Sequence, residues 1–355
     1  MKMDGSEEIQ AFAYERKGNS AVIRRCFSRD TKAAVPGMID GLPVTELAPY
    51  AFSAHLDQQM LEQELAAGKL QLGRSMLVPE EDEVLTSHQR YQRLQEAQIP
   101  ALCGERLEEL ELPESIVRVG RYCLYNCDHL RKLTFTGQLA DWGSGVFTGC
   151  HHICEAVLTT DASGTSTLKD MLDEVHEALH VRWNDTSQQI ADLMYPEFYE
   201  EGVENTPARI LETHVHGSGM RYRNCFEGRR IDFTQYDRLF PYAVAQEPER
   251  LLVRLVCGRL RFPHALGRQA REQYETYLRE NPQLFAAYFT ELRDMDGIRW
   301  YCEGPGLGHE PAVLAFLDAL TERAGRVGFA EALGYAMEYR HVHEKKPEVK
   351  RRFEL

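Results

Sequence analysis

The feature that most narrows what this chain can become is a repeat. Between Leu107 and Leu158 the apolar positions fall into register when the sequence is shifted by 23 residues. Leu107, Leu130 and Ile153 align, then Leu110, Leu133 and Ala156, then Leu112, Phe135 and Leu158. In the second half of each unit Ile116 matches Leu139, Val119 matches Trp142, Gly120 matches Gly143, Leu124 matches Phe147 and Cys127 matches Cys150. A fixed period in the twenties predicts stacked coils, because one such unit cannot bury its own apolar face and needs a neighbour to cover it.

Leu110-Glu111-Leu112 and Leu133-Thr134-Phe135 alternate apolar and polar, so each reads as a short strand with every second side chain inward. Pro113 lacks a backbone donor and favours leaving the sheet. Gly120 and Gly143 are expected where the coil turns tightly. The run from Leu107 to Phe135 resembles the BspA-like leucine-rich repeats of bacteria. It has that family's strand, Leu-Pro corner, Val-Gly turn, and aromatic or leucine three residues before a ladder cysteine. Val35 to Phe52 looks like the family's first repeat, with Leu47 and Phe52 spaced as Val119 and Leu124 are. The resemblance implies a recognition or scaffold module rather than a catalyst.

A chain of 355 residues has room for two or three domains. Its formal charge of −14 argues against a general nucleic-acid surface, which needs a basic footprint. The basic tail (Lys345, Lys346, Lys350, Arg351, Arg352) reads as a solvated charge run. No apolar run reaches the ~18 residues that span a bilayer. The first residues are polar and acidic, unlike a secretory signal. Nine cysteines, an odd number, suit reduced thiols. The expectation is a cytoplasmic protein with a protein partner, no membrane or nucleic-acid target, and no cofactor.

In chain order, Ala11 to Phe27 reads as a hairpin about Gly18-Asn19. Residues 53–105 break the period with helical spacings (Leu56, Met60, Leu61, Leu65; Tyr91, Leu94, Ala97) around an acidic turn at Pro79 to Glu83. After Leu158 the period stops. Ser166 then caps a helix running through Leu168, Met171, Leu172, Val175 and Leu179, and His180 to Asp185 and Ile190 to Phe198 are candidate strands or a continuation of the cap. From Phe233 onward helical stripes alternate with breaks at Pro263, Gly267, Pro282, Gly297, Gly304 to Gly306 and Gly325. The helical part loosely resembles ankyrin-like two-helix repeats, without their Thr-Pro-Leu-His signature. The expected fold is α+β. It comprises a short leucine-rich-repeat β-solenoid over 1–160 with a helical insertion about 53–105, a capping segment over 161–225, and an all-α helical-hairpin domain over 226–355.

Four groups of residues could carry chemistry. Cys123 and Cys127, with Cys150 and Cys154 and nearby histidines, could hold zinc, but the period places Cys127 and Cys150 as a ladder of small buried hydrophobes. His214-Val215-His216 puts two imidazoles on one side of a strand, as in metal-dependent hydrolases, and that is the alternative function. Gly217-Ser218-Gly219 is no nucleophile elbow. Gly304 to Gly308 follows a helical stripe and lacks a phosphate-loop lysine. The favoured reading is a non-enzymatic protein-interaction or scaffold protein. Its contact positions are Glu109, Glu111, Lys132 and Thr134, which flank inward residues on the strands.

Overall fold

The computed structural model describes residues 10–74, 85–161, 163–186, 188–205, 210–304 and 310–343. The acidic turn at Pro79 to Glu83 and the basic tail lie outside them. The chain divides into two compact units, Met1–Glu247 with Phe262–Ala265, and Pro248–Arg261 with Leu266–Leu355. The expected change of domain at 226 falls inside the first unit.

In the first unit β1 (Ala11–Lys17) and β2 (Ser20–Phe27) form the hairpin about Gly18-Asn19, with Gly18 at φ 62°. The first coil contributes β3 (Lys32–Ala34), β4 (Met38–Ile39) and β5 (Leu42–Leu47). The insertion follows as α1 (Gln58–Ala66), β6 (Gln71–Arg74) and α2 (Ser87–Glu96). Asp57 caps α1, and Thr86 with Gln89 forms a capping box on α2. Leu61, Leu65, Tyr91 and Leu94 pack on Ala11, Ala13 and Phe27, so the insertion is fastened to the hairpin. β6 was not legible as a strand; it pairs antiparallel with β1.

The next coils contribute β7 (Glu109–Glu111) with β8 (Arg118–Val119), and β9 (Lys132–Thr136) with β10 (Asp141–Trp142). Then come β11 (Glu155–Thr159), α3 (Leu168–Glu174), β12 (Leu179–Asn184) and β13 (Gln189–Tyr195). One sheet runs β13-β12-β11-β9-β7-β3, the other β10-β8-β5-β2-β1-β6 with β4 on β5. Leu110, Leu133 and Ala156 are direct partners across β7, β9 and β11, as the 23-residue shift requires. Val119 pairs with Trp142 and with Leu47 in the other sheet. The period does not end at Leu158. β12 extends the ladder in parallel, Ala156 opposite Val181 and Leu158 opposite Trp183, but α3 replaces the short second strand and lengthens the step. The helix near Ser166 has Thr167 at its N-cap, but Ser166 Oγ accepts from Leu168 N at 3.3 Å; it ends at Glu174 rather than running on to Leu179, which opens β12.

Gly120 and Gly143 correct a second expectation. Neither has a positive φ. A Cβ on Gly120 would lie 2.4 Å from the Pro49 nitrogen, and one on Gly143 would lie 2.5 Å from the Arg121 nitrogen. Their role is close approach of one coil's backbone to the next. The left-handed residues of these coils include Tyr50, Tyr122 and Gly145, and the rings of Tyr50 and Tyr122 stack at 5.6 Å.

Side chains bond to backbone groups on three edge strands, β3, β13 and β6. Gln10 donates to Lys32 O at 2.8 Å and accepts from Ala34 N at 3.0 Å along β3. At the opposite edge the hydroxyl of Tyr236 donates to Met194 O at 2.7 Å and accepts from Met194 N at 2.9 Å along β13. On β6, Ser87 Oγ accepts from Leu72 N, and Arg90 donates to Leu72 O, both at 3.1 Å. The rest of the unit comprises the hairpin β14 (Tyr199–Asn205) and β15 (Ile210–His216), α4 (Gly219–Arg223), the hairpin β16 (Phe226–Glu227) and β17 (Arg230–Ile231), α5 (Phe233–Arg238) and α6 (Phe240–Gln246). Arg223, buried at the end of α4, donates to the carbonyls of Val175, Glu177 and Pro196, which ties α3 and the end of β13 together.

The described elements of the second unit are all helices: α7 (Glu249–Arg261), α8 (Arg268–Glu280), α9 (Pro282–Leu292), α10 (Met295–Glu303), α11 (Glu310–Val327) and α12 (Ala330–His343). α7 packs on α8, α11 on α12 and α9 on α11. Tyr301 stacks on Phe316 at 3.9 Å, and its hydroxyl donates to Leu278 O at 3.1 Å. Two expected breaks are absent. Gly297 lies within α10, where a Cβ would meet the Phe289 ring at 2.5 Å, and Gly325 lies within α11 facing open space.

Gly143→Ala is expected to lower the stability of the first unit by about 2–3 kcal/mol, because the methyl group overlaps backbone that has no rotamer to change. Gly325→Ala in the second unit should instead stabilise by about 0.5–1 kcal/mol, the ordinary helix-propensity gain. Urea denaturation of the two variants measures both.

Candidate functional site

The sheet β13-β12-β11-β9-β7-β3 turns one face inward, with Ala33, Leu110, Leu133, Ala156 and Val181 buried in one row and Phe135, Leu158 and Trp183 in another. The alternate residues make the outer face. One outer row reads Lys32, Glu109, Lys132, Glu155, His180, with successive members directly opposite one another on neighbouring strands. The next reads Ala34, Glu111, Thr134, Val157, Arg182, Asp192. All four expected contact residues therefore lie on one face of two adjacent strands.

Their charges are engaged with each other. Lys32 Nζ lies 3.0 Å from Glu111, and Lys132 Nζ lies 3.9 Å from Glu109. Arg182 pairs with Glu155, and His180 Nε2 lies 2.7 Å from Asp192. The bond to Glu111 holds the Lys32 ammonium above the usual lysine range. The exposed pairs, Lys32–Glu111, Lys132–Glu109 and Arg182–Glu155, contribute only about 0–1 kcal/mol each, so a partner can displace them at small cost, whereas His180 and Asp192 are largely buried. The sequence showed which residues point outward. It could not show which of them pair, because Lys32 and Glu111 are brought together only by the ladder.

The cysteines are not gathered as a metal centre. Cys127 Sγ donates to Phe52 O at 3.3 Å, and Cys150 Sγ donates to Leu124 O at 3.1 Å, each reaching the preceding coil. Cys154 is exposed. Burial pushes the Cys123 and Cys150 thiols up to about 12 and raises those of Cys26 and Cys127 as well. In the β14–β15 hairpin, His216 stacks on Tyr199 at 4.5 Å, its Nε2 lies 3.1 Å from Glu201, and His214 is exposed opposite Glu201. Among the described residues no group of three or more His, Cys, Asp or Glu is placed to hold a metal ion. Nothing therefore favours a hydrolase centred on His214 and His216.

A cleft of about 690 Å³ lies at the end of the ladder, and sequence reasoning missed it. Trp183, Phe233, Ile190, Ile231 and His264 supply its apolar wall. Trp183 stacks on Phe233 at 5.8 Å and donates through Nε1 to Thr160 Oγ1 at 2.7 Å, while Phe233 meets His264 edge-on at 5.0 Å. Its residues come from separate stretches between Thr160 and Ala265, so no local motif announces it.

Residues 92–174 match the family model of the BspA type leucine rich repeat region, which has six copies. No curated protein and no solved structure matches the chain. The match covers the coils from α2 to the end of α3, including the strands that carry Glu109, Glu111, Lys132 and Thr134. Among the described residues no helix is long and apolar enough to cross a membrane.

With the native protein, a maleimide is expected to label Cys154 rapidly and to leave Cys123, Cys127 and Cys150 unmodified until denaturant is added, because thiolate is scarce and access closed. Peptide mapping by mass spectrometry reads the order of labelling; early modification of Cys127 or Cys150 would contradict the ladder.

Proposed function

We propose that this chain is a non-enzymatic protein-interaction or scaffold protein of a bacterial cytoplasm, whose leucine-rich repeats form a short solenoid and offer the outer sheet face to a protein partner. The match to a repeat family of this type supports a protein-interaction role. The observation that carries the surface assignment is the combination of an open face and occupied edges. Gln10 takes up the outward groups of Lys32 and Ala34 on β3, and Tyr236 takes up those of Met194 on β13, which disfavours strand addition at those positions. What remains accessible is a lattice of weakly paired charges around Thr134 and Val157. Such a face discriminates partners by charge pattern more than by net charge. The helical unit, with α7 on α8 and α11 on α12, fits degenerate ankyrin-like pairs and would present a second, separate surface.

A charge swap tests the face. In Glu109→Lys combined with Lys132→Glu the internal pair survives in reverse, while Lys32 and Glu155 each come to face a like charge, so the melting temperature should fall by several degrees without loss of the fold. Proteins captured from the native cell by the wild-type chain should be lost by the swapped chain. Identical capture by both would remove this face from consideration.

A further inference from the structure

We propose that the cleft bounded by Trp183, Phe233 and Glu227 binds an organic cation, an ammonium or guanidinium group carried on an apolar stem. The cleft shares none of the four residues assigned to the sheet face, so the proposal is independent of that assignment. Its volume, about 690 Å³, falls within the range of roughly 300–1,000 Å³ of small-ligand sites. Four carboxylates line it (Asp161, Asp185, Glu227 and Asp232) against one guanidinium, Arg230. Bonds from Ser163 to Asp161 and from Gln235 to Asp232 hold those two carboxyls below the usual carboxylate range, so the negative charge persists into mild acid. An anion is therefore repelled.

The same lining separates an organic cation from a metal ion. A divalent metal needs several oxygen ligands converging on one point, and no group of that kind exists among the described residues. The carboxylates are instead distributed around an apolar wall in which Trp183 and Phe233 are nearly buried, at 3% and 7% exposure. A carbon stem lies favourably against such a wall, and its charged head is attracted by both ring and carboxylate. Glu227 is the carboxylate with the freest hand. It sits opposite Arg230 in the β16–β17 pairing, and neither side chain makes a hydrogen bond or ion pair among the described residues. Arg230 occupies the position where an incoming cation would add a second positive charge beside Glu227, so it acts against binding.

The cation can be a free polyamine or a lysine or arginine side chain of another protein. Full-length protein with ¹⁵N-labelled indoles, titrated separately with spermidine and with acetyl-Gly-Lys-Gly-amide, distinguishes them. A saturable shift of the Trp183 indole signal is expected with one or both probes. Response to spermidine alone assigns the free amine, and response to the peptide assigns the side chain. Combined Glu227→Gln and Asp185→Asn should weaken binding about tenfold, and Arg230→Gln should tighten it about threefold, as expected for adding or removing single charges at a partly exposed site. Unmoved Trp142 and Trp300 signals report that each variant is folded, and Glu227→Gln alone serves if the double variant is not. No saturable shift with either probe, or a shift unchanged in the carboxylate variants, overturns the proposal.

Discussion

The first unit depends on backbone pairing between successive coils. Each coil is too short to bury its own leucines, and the bonds from β7 to β9 to β11 set the interval at which the next coil covers them. Gly120 and Gly143 are points of close approach in that stack, and Cys127 and Cys150 add thiol donors to the carbonyl groups of the coil before. Placement of every outward side chain follows from that interval. The face that carries Glu109 and Lys132 is therefore a by-product of core packing.

What could be read from the sequence was what repeats. The aligned leucines gave the pairing of Leu110 with Leu133 and Ala156, and the Gly18-Asn19 turn gave the first hairpin. Where a coil substitutes a helix for a strand, the pattern loses phase. That is why β12 was not recognised as a further rung, although Trp183 occupies the place next to Leu158. Gly297 and Gly325 show a related limit: a glycine inside a helix is indistinguishable in sequence from one that ends it, and the ring of Phe289 with the carboxylate of Asp294 explains the first. The cleft was illegible for another reason. It is built from loops whose lengths carry no period.

The charge pattern of the sheet shows how a repeat can diversify without risk. Inward positions are held by packing, where losing a few methylene groups costs several kcal/mol. Outward positions exchange at a cost of about 1 kcal/mol or less, provided neighbours on adjacent strands remain complementary. Lys32, Glu109, Lys132 and Glu155 alternate in sign along one row, which satisfies that condition.

The occupied margins of the sheets have a consequence for assembly. A parallel stack grows by adding rungs, and an exposed final rung invites another molecule to continue the series, the route by which repeat proteins polymerise into fibres. Here the amide of Gln10 and the phenol of Tyr236 stand where the next strand's backbone would dock. A strand arriving at either end of that ladder would first have to displace one of these two side chains, which are distant from each other in sequence.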